Sequence, residues 1–280
     1  MKVGIAMFPA DFAIRPDELA RAVEERGFES LFLPEHTHLP AGERTRREVG
    51  ELPPHFSHTH DLFVALTYAA AATSELKVAT GICLVPQRDP LTTAKAVASL
   101  DVLSGGRVLF GVGAGWISEE LENHGTEPSR RWAVLAERVK AMREIWGNEV
   151  AEFHGEHVDF GPVRSWPKPR QSPHPPVLVG GSGPRVARRV LDFGDEWMPH
   201  AGMPLDELSG RIAELRRAGR AVGRAHVPVT VFGAEPDPAG LEGLREVGVD
   251  RVVLYAPPAD GAEVKGFLDS VAPLVERFRG

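Results

Sequence analysis

Eight times along this chain a short apolar run, rich in β-branched residues, gives way to a stretch with helical spacing, and that alternation leaves few folds open. Strands are expected at Lys2–Phe8, Ser30–Pro34, Lys77–Val85, Arg107–Gly115, from Val177 to Gly180, at Asp195–Pro199, Val227–Phe232 and Arg251–Tyr255. The helices between them carry their own signals. Pro16 opens one, with Asp17 and Glu18 suiting the dipole of its first turn; Asp61 caps an alanine-rich helix to about Thr73; Pro90 starts another, which stops at Ser104-Gly105-Gly106. Trp132, Leu135, Val139, Met142 and Ile145 line one side of a helix over about 129–146, and the last helix buries Val264, Leu268, Val271, Leu274, Val275 and Phe278. Eight strand-then-helix units in 280 residues predict a (βα)8 TIM barrel as a single domain over 1–280. A doubly wound sheet is the alternative, but nothing marks a break into two halves.

Two segments depart from the alternation. Residues 39–58, after the second strand, are rich in Pro, Gly and charge and read as a long surface loop. Between Gly147 and Pro176, after the fourth unit, Phe153 and Phe160 flank His154-Gly155 and suggest a hairpin. Insertions are therefore expected after strand two and between strands four and five.

Right-handed crossovers place all strand C-termini on one face, which is where a barrel carries function. That face should hold His36, Gly81-Ile82-Cys83, Gly113, Gly115, Trp116, Gly180 to Gly183, His200, Tyr255 and Ala256. The fifth unit, Val177-Leu-Val-Gly-Gly-Ser-Gly-Pro-Arg185, joins a buried strand to a helix through a glycine turn, with Pro184 suited to the first helical position. Such a turn aims free N–H groups and a dipole end at one point, a ready phosphate site, or it is a plain βα loop needing glycine for geometry. Gly111, Gly113 and Gly115 read equally as barrel packing or as backbone approaching a ligand, since they lack the spacing of a dinucleotide fingerprint. Few titratable groups converge, as expected where a cofactor carries the reaction.

Several classes are excluded. A formal charge of −7 without a dense basic block argues against nucleic acid as a partner. No apolar run is long enough to span a membrane, and the chain begins directly on a strand, so a cytoplasmic protein is expected. Cys83 is the single cysteine, which precludes an intrachain disulfide and a thiolate cluster. His36 and His38, or His58 and His60, share a face at alternate positions, yet the later strand ends offer only His200 as a further ligand, so no metal is expected.

Pro34-Glu-His36, Thr80-Gly-Ile-Cys-Leu-Val-Pro-Gln-Arg-Asp-Pro90, Leu100 through Trp116, Pro175 through Gly183 and Gly194-Asp-Glu-Trp197, in this order and spacing, resemble the luciferase-like monooxygenases and their deazaflavin-dependent relatives. The resemblance covers nearly the whole chain and implies a bacterial-luciferase-like barrel whose mouth takes coenzyme F-420, the 5-deazaflavin, or reduced FMN. By position, Gly81-Ile82 or Ile82-Cys83 would form the bulge behind the ring, often with a non-proline cis peptide. Gly113 and Gly115 would lie beside the ring, Gly180, Gly181, Ser182 and Gly183 would hold the phosphate, and His36 would sit near ring or substrate, where an imidazole can give or take a proton. Trp116 stands where the deazaflavin dehydrogenases place a proton-donating glutamate, which puts their proton-transfer scheme in doubt. The resemblance therefore implies an oxidoreductase moving a hydride between a deazaflavin and an organic small molecule. A monooxygenase using reduced FMN, oxygen and a partner flavin reductase is the alternative, and a non-catalytic flavin carrier a third. The two insertions would set specificity, and homodimers are usual among the proteins it is similar to.

Overall fold

The structure, a computed structural model, describes residues 1–279. In chain order it runs β1 (Lys2–Ala6), α1 (Pro16–Glu25), β2 (Ser30–Leu33), α2 (Glu43–Val49), α3 (Leu62–Ala71), β3 (Lys77–Thr80), β4 (Cys83–Leu84), α4 (Pro90–Leu103), β5 (Val108–Gly113), α5 (Ser118–Asn123) and α6 (Arg131–Gly147). There follow β6 (Ala151–His154), β7 (Asp159–Val163), β8 (Val177–Gly180), α7 (Val186–Phe193), β9 (Glu196–Met198), α8 (Leu205–Ala221), β10 (Thr230–Ala234), α9 (Pro238–Glu246), β11 (Arg251–Tyr255) and α10 (Gly261–Phe278). Eight parallel strands lie in the order β10-β11-β1-β2-β3-β5-β8-β9. Parallel bridges Trp197↔Val229 and His200↔Phe232 then join β9 to β10 and close the ring. This is the (βα)8 barrel expected from the alternation.

Strand period 2 divides the core. One set of side chains meets the helices; the other, with Ala6, Phe32, Ala79, Leu109, Leu178, Met198, Phe232 and Val253, fills the barrel interior. Below this plug Arg251 is held by carboxylates on two sides. Its Nε and Nη2 donate to Glu29 at 2.8 and 3.0 Å, and its Nη1 donates to Glu196 at 3.0 Å. Burial alone would raise the Glu29 carboxyl, but hydrogen bonds and charge from Arg251, with Lys77 beside it, hold it down at about 2. Burial pushes Glu196 the other way, against the pull of Arg251 and Thr230.

Helix starts follow the caps: Asp61 Oδ1 accepts from the Phe63 and Val64 N–H groups, and Asp89 Oδ1 from Thr92. The expected hairpin is β6–β7, with Phe153 opposite Phe160. Three expectations are corrected. Residues 39–58 are not loop throughout, since α2 forms there. Its C-terminal stop is Gly50, at φ +74, and its Thr45 Oγ1 donates to Glu119 at 2.6 Å, so tertiary contact outweighs a charged, loop-like composition. The third strand is interrupted after Thr80 by a cis Gly81–Ile82 peptide and resumes as β4, paired with β5. Finally, α7 begins at Val186 rather than Pro184, because the Val186 N–H closes a turn onto the Gly183 carbonyl at 3.1 Å.

Candidate functional site

A cavity of about 420 Å³ opens at the C-terminal mouth of the barrel, within the range of small-molecule and cofactor sites. A larger one, about 760 Å³, opens at the opposite end among Lys2, Glu29, Asp250 and Arg251. There Lys2 and Arg251 pair with Glu29, and in a barrel that end serves stability rather than chemistry.

One wall of the mouth cavity is nearly bare backbone. Gly81, Gly113, Gly115, Gly180 and Gly181 all line it, with Ile82 standing among them. A Cβ on Gly113 would lie 1.7 Å from Ile82 Cδ1, and one on Gly81 would meet the Phe232 ring at 2.8 Å. The Gly81–Ile82 bulge thus rests in a space that glycine vacates on β5. Thr80 Oγ1 ties the strand before the bulge to the Gly111 carbonyl at 2.6 Å. Gly181 adopts φ +116, a conformation side chains rarely take.

The facing wall is aromatic and carries His36. Its Nδ1 lies 3.0 Å from both carboxylate oxygens of Glu120, and the two side chains are 5% and 0% exposed. A carboxylate only accepts, so the proton of this bond sits on Nδ1 and Nε2 is left for a ligand. Phe56 and Trp116 border the imidazole at 5.3 and 6.2 Å between centroids. The neighbouring Glu35 turns away: it accepts from the Leu84 N–H at 2.6 Å and from Arg88, whose charge-assisted bonds clamp β4 to the end of β2. His200 and Tyr255 complete the rim; burial lowers the first and pushes the second up to about 12, so both are neutral at neutral pH.

Glu120 is the site residue that sequence reasoning misses. It sits on α5, only six residues long and without a side-chain cap, and Glu119-Glu120 in a first turn reads as solvated charge suiting the dipole. Of the expected residues, His36, Gly81, Ile82, Gly113, Gly115, Gly180 and Gly181 converge on the cavity. Cys83, Ser182 and Gly183 do not line it. The Cys83 thiol packs into the core between barrel and helices, where burial and Glu35 push it well above its ordinary value. Ser182 and Gly183 lie just outside, where Arg211 Nη1 donates to the Ser182 carbonyl at 2.6 Å. The remaining histidines scatter, His38 toward Thr37 and Asn123, His58 toward Asp11.

Beyond the glycine turn stand cations without counter-ions. Trp132 lines the cavity beside Gly181, and the Arg189 guanidinium stacks on its ring at 3.6 Å. Burial lowers the Arg189 pKa, and the nearby charges of Arg185 and Arg131 lower it further. Among the described residues, none of these three arginines forms a salt bridge. The three guanidiniums thus gather positive charge next to the Trp132 edge of the cavity.

The profile of the luciferase-like monooxygenases matches residues 15–234. An uncharacterized protein of Mycobacterium tuberculosis is 36% identical over 279 residues, 97% of this chain and 98% of that one. The FMNH(2)-dependent dimethylsulfone monooxygenase of Pseudomonas putida is 32% identical over 158 residues, 55% of this chain and 43% of its own. The F420-dependent glucose-6-phosphate dehydrogenase of Kineococcus radiotolerans is 28% identical over 213 residues, 75% and 57% of the two chains. Monooxygenase RslO1 from Streptomyces bottropensis superposes with a TM-score of 0.82 at 21% identity, covering both chains completely, a likeness of fold. Among the described residues no helix is long and apolar enough to cross a membrane.

Proposed function

The chain belongs to the luciferase-like monooxygenase family, and from that premise we propose that it is a deazaflavin-dependent oxidoreductase acting on a small organic molecule. The ring of the cofactor would lie along the glycine wall, over Ile82 and between Gly113 and Gly180. Glycine leaves that wall flat enough for a planar ring, and the cavity volume suits it. When bound, a deazaflavin gives or takes a hydride at one ring carbon.

The arginines beyond the glycine turn carry the choice of cofactor. FMN ends at one phosphate, for which the remaining free N–H groups of the Gly180–Gly183 turn and a single guanidinium beside it would be enough. A deazaflavin continues past its phosphodiester into a string of carboxylates, and Arg131, Arg185 and Arg189 supply unneutralised charge where such a tail would emerge. His36 would hold or deliver the proton that accompanies hydride transfer at a hydroxyl or carbonyl of the substrate. Glu120 would position it, keeping the proton on Nδ1 and presenting Nε2 to the cavity. The surrounding Phe56 and Trp116 would exclude water.

Calorimetric titration with coenzyme F-420 and with FMN tests the reading. The deazaflavin is expected to bind at least tenfold tighter, with a steep salt dependence that Arg185→Ala and Arg189→Ala reduce. Tight FMN binding with the deazaflavin ignored sinks it. One observation favours a second reading: Trp116, 48% exposed, stands where a carboxylic proton donor is expected by resemblance. A monooxygenase using reduced FMN has no call for that acid, and oxygen uptake with a flavin reductase present would reveal it.

A further inference from the structure

Next to the mouth cavity lies a second concavity of about 690 Å³ that the reaction proposed above leaves unused. The two share Phe8, Phe56 and Tyr255, so they form one continuous surface, with the shared rings as the threshold. His55, Pro258 and Phe267 extend it outward. Phe8, His55 and Phe56 brace one another, with ring centroids 4.6, 4.8 and 4.9 Å apart, and the 3-10 turn Pro54–Phe56 fixes two of the three rings. Such a box is preformed, so little side-chain entropy is lost when it is filled.

Its chemistry is restricted. Tyr255 and His55 are the titratable groups in the lining, and burial keeps both uncharged at neutral pH, the phenol at about 12 and the imidazole below its ordinary value. The rest of the lining is apolar or proline. A carboxylate or phosphate entering here would shed hydration and find no cation to offset its charge, only the neutral Tyr255 hydroxyl and His55 imidazole. A flat or cyclic hydrocarbon body would find ring faces, with the Tyr255 hydroxyl as one polar contact.

We propose that this aromatic groove is the substrate-specificity site, and that it takes the body of an uncharged, predominantly apolar alcohol or carbonyl compound. The reacting carbon would reach past Phe56 to His36, while the apolar remainder stays in the groove. The substrate class rests on the oxidoreductase reading; the groove's preference for uncharged apolar molecules does not need it.

The test therefore begins without cofactor. Ligand-observed NMR titrations would compare 2-naphthylmethanol with 2-naphthoate, alike in shape and different in charge. The alcohol is expected to bind at least tenfold tighter than the carboxylate. Pro258→Glu, at a partly exposed loop position, and Phe267→Ala should each weaken the alcohol at least fivefold while leaving coenzyme F-420 or FMN affinity within twofold. Equal or tighter binding of the naphthoate overturns the proposal, as does alcohol binding that neither variant alters. A protein that binds the alcohol in the groove but neither cofactor would retain the groove and discard the oxidoreductase.

Discussion

The bare wall of the cavity can be tested at Gly113. A Cβ placed there lies 1.7 Å from Ile82 Cδ1, 3.0 Å from its Cγ1 and 3.7 Å from its Cβ. Ordinary carbon contacts lie near 3.5–4.0 Å, so in Gly113→Ala the Cδ1 must retreat by about 2 Å. Rotating χ2 alone leaves Cγ1 too close, so χ1 or the bulge backbone must move as well. Ile82 lines the cavity, and that is the direction open to it. Forced repacking of this kind costs about 1–3 kcal/mol, and the displaced side chain would stand in the space assigned to the ring. Ile82→Ala removes Cγ1 and Cδ1 and leaves only the Cβ contact at 3.7 Å, which is comfortable. In that background Gly113→Ala should therefore be nearly free. Urea unfolding of the four proteins in the double-mutant cycle should give a coupling of about 1–3 kcal/mol. Cofactor titration should show at least a tenfold loss in Gly113→Ala that is largely restored in the double variant. Additive effects within about 0.5 kcal/mol would refute the steric account of the wall.

Other consequences can be checked in the same way. Glu120→Leu strips His36 Nδ1 of its acceptor in a fully buried place, so stability should fall by about 1–3 kcal/mol. The same variant should lose the Nδ1–H tautomer in ¹⁵N spectra and slow turnover at least tenfold with KM little changed, while Glu120→Gln, which keeps an acceptor, should recover part of each. For Glu29, the folded carboxyl near 2 lies below the ordinary 4.5, so its contribution is full above pH 4.5 and is lost as pH falls toward 2. That depression is worth about 3 kcal/mol. Acid unfolding should steepen across that window, and a chain whose stability is level from pH 5 to 2.5 contradicts the Glu29–Arg251 pairing. Gly181→Ala, at φ +116, should cost about 1–2 kcal/mol, whereas Gly183→Ala, with nothing within 4 Å of the added Cβ, should stay within about 0.5 kcal/mol. Equal melting temperatures for these two glycine variants would contradict the backbone assignment of the turn.

What could be read in advance follows the length scale of each signal. The barrel was legible because its strands are continuous apolar runs, as in β11 over Arg251–Tyr255, and its longer helices show period 3.6, as in the buried stripe of α10. The cavity-facing glycines were legible because each ends a recognisable strand. A cis peptide in the bulge came only through family resemblance, which left Gly81-Ile82 and Ile82-Cys83 open; the structure has it at Gly81–Ile82. Glu120 was invisible because α5 spans less than two turns and its acidic residue faces inward against the usual charge logic. The arginine cluster was hidden for a different reason: Arg131 opens α6 while Arg185 and Arg189 belong to α7 and the turn before it, and only the packing of those helices brings the charges together.

The sequence left open whether Gly113 is packing or ligand surface; the geometry shows the packing, at a residue that also lines the cavity. Gly113 is bare because Ile82 occupies the space its side chain would need, and Ile82 stands there because Gly81 permits the bulge to pass Phe232. Packing between β5 and the bulge is what makes the wall flat, so the residues that pack are the residues a ring would meet. The glycine turn behaves differently. Its Gly181 N–H is already committed to the Met198 carbonyl at 3.2 Å, and Gly183 has open space around it. That turn therefore offers fewer free donors to an anion than its sequence suggests, and in the proposed reading the arginines on Trp132 and beside it would supply more of the attraction. Salt should accordingly weaken cofactor binding more than loss of any single turn glycine does.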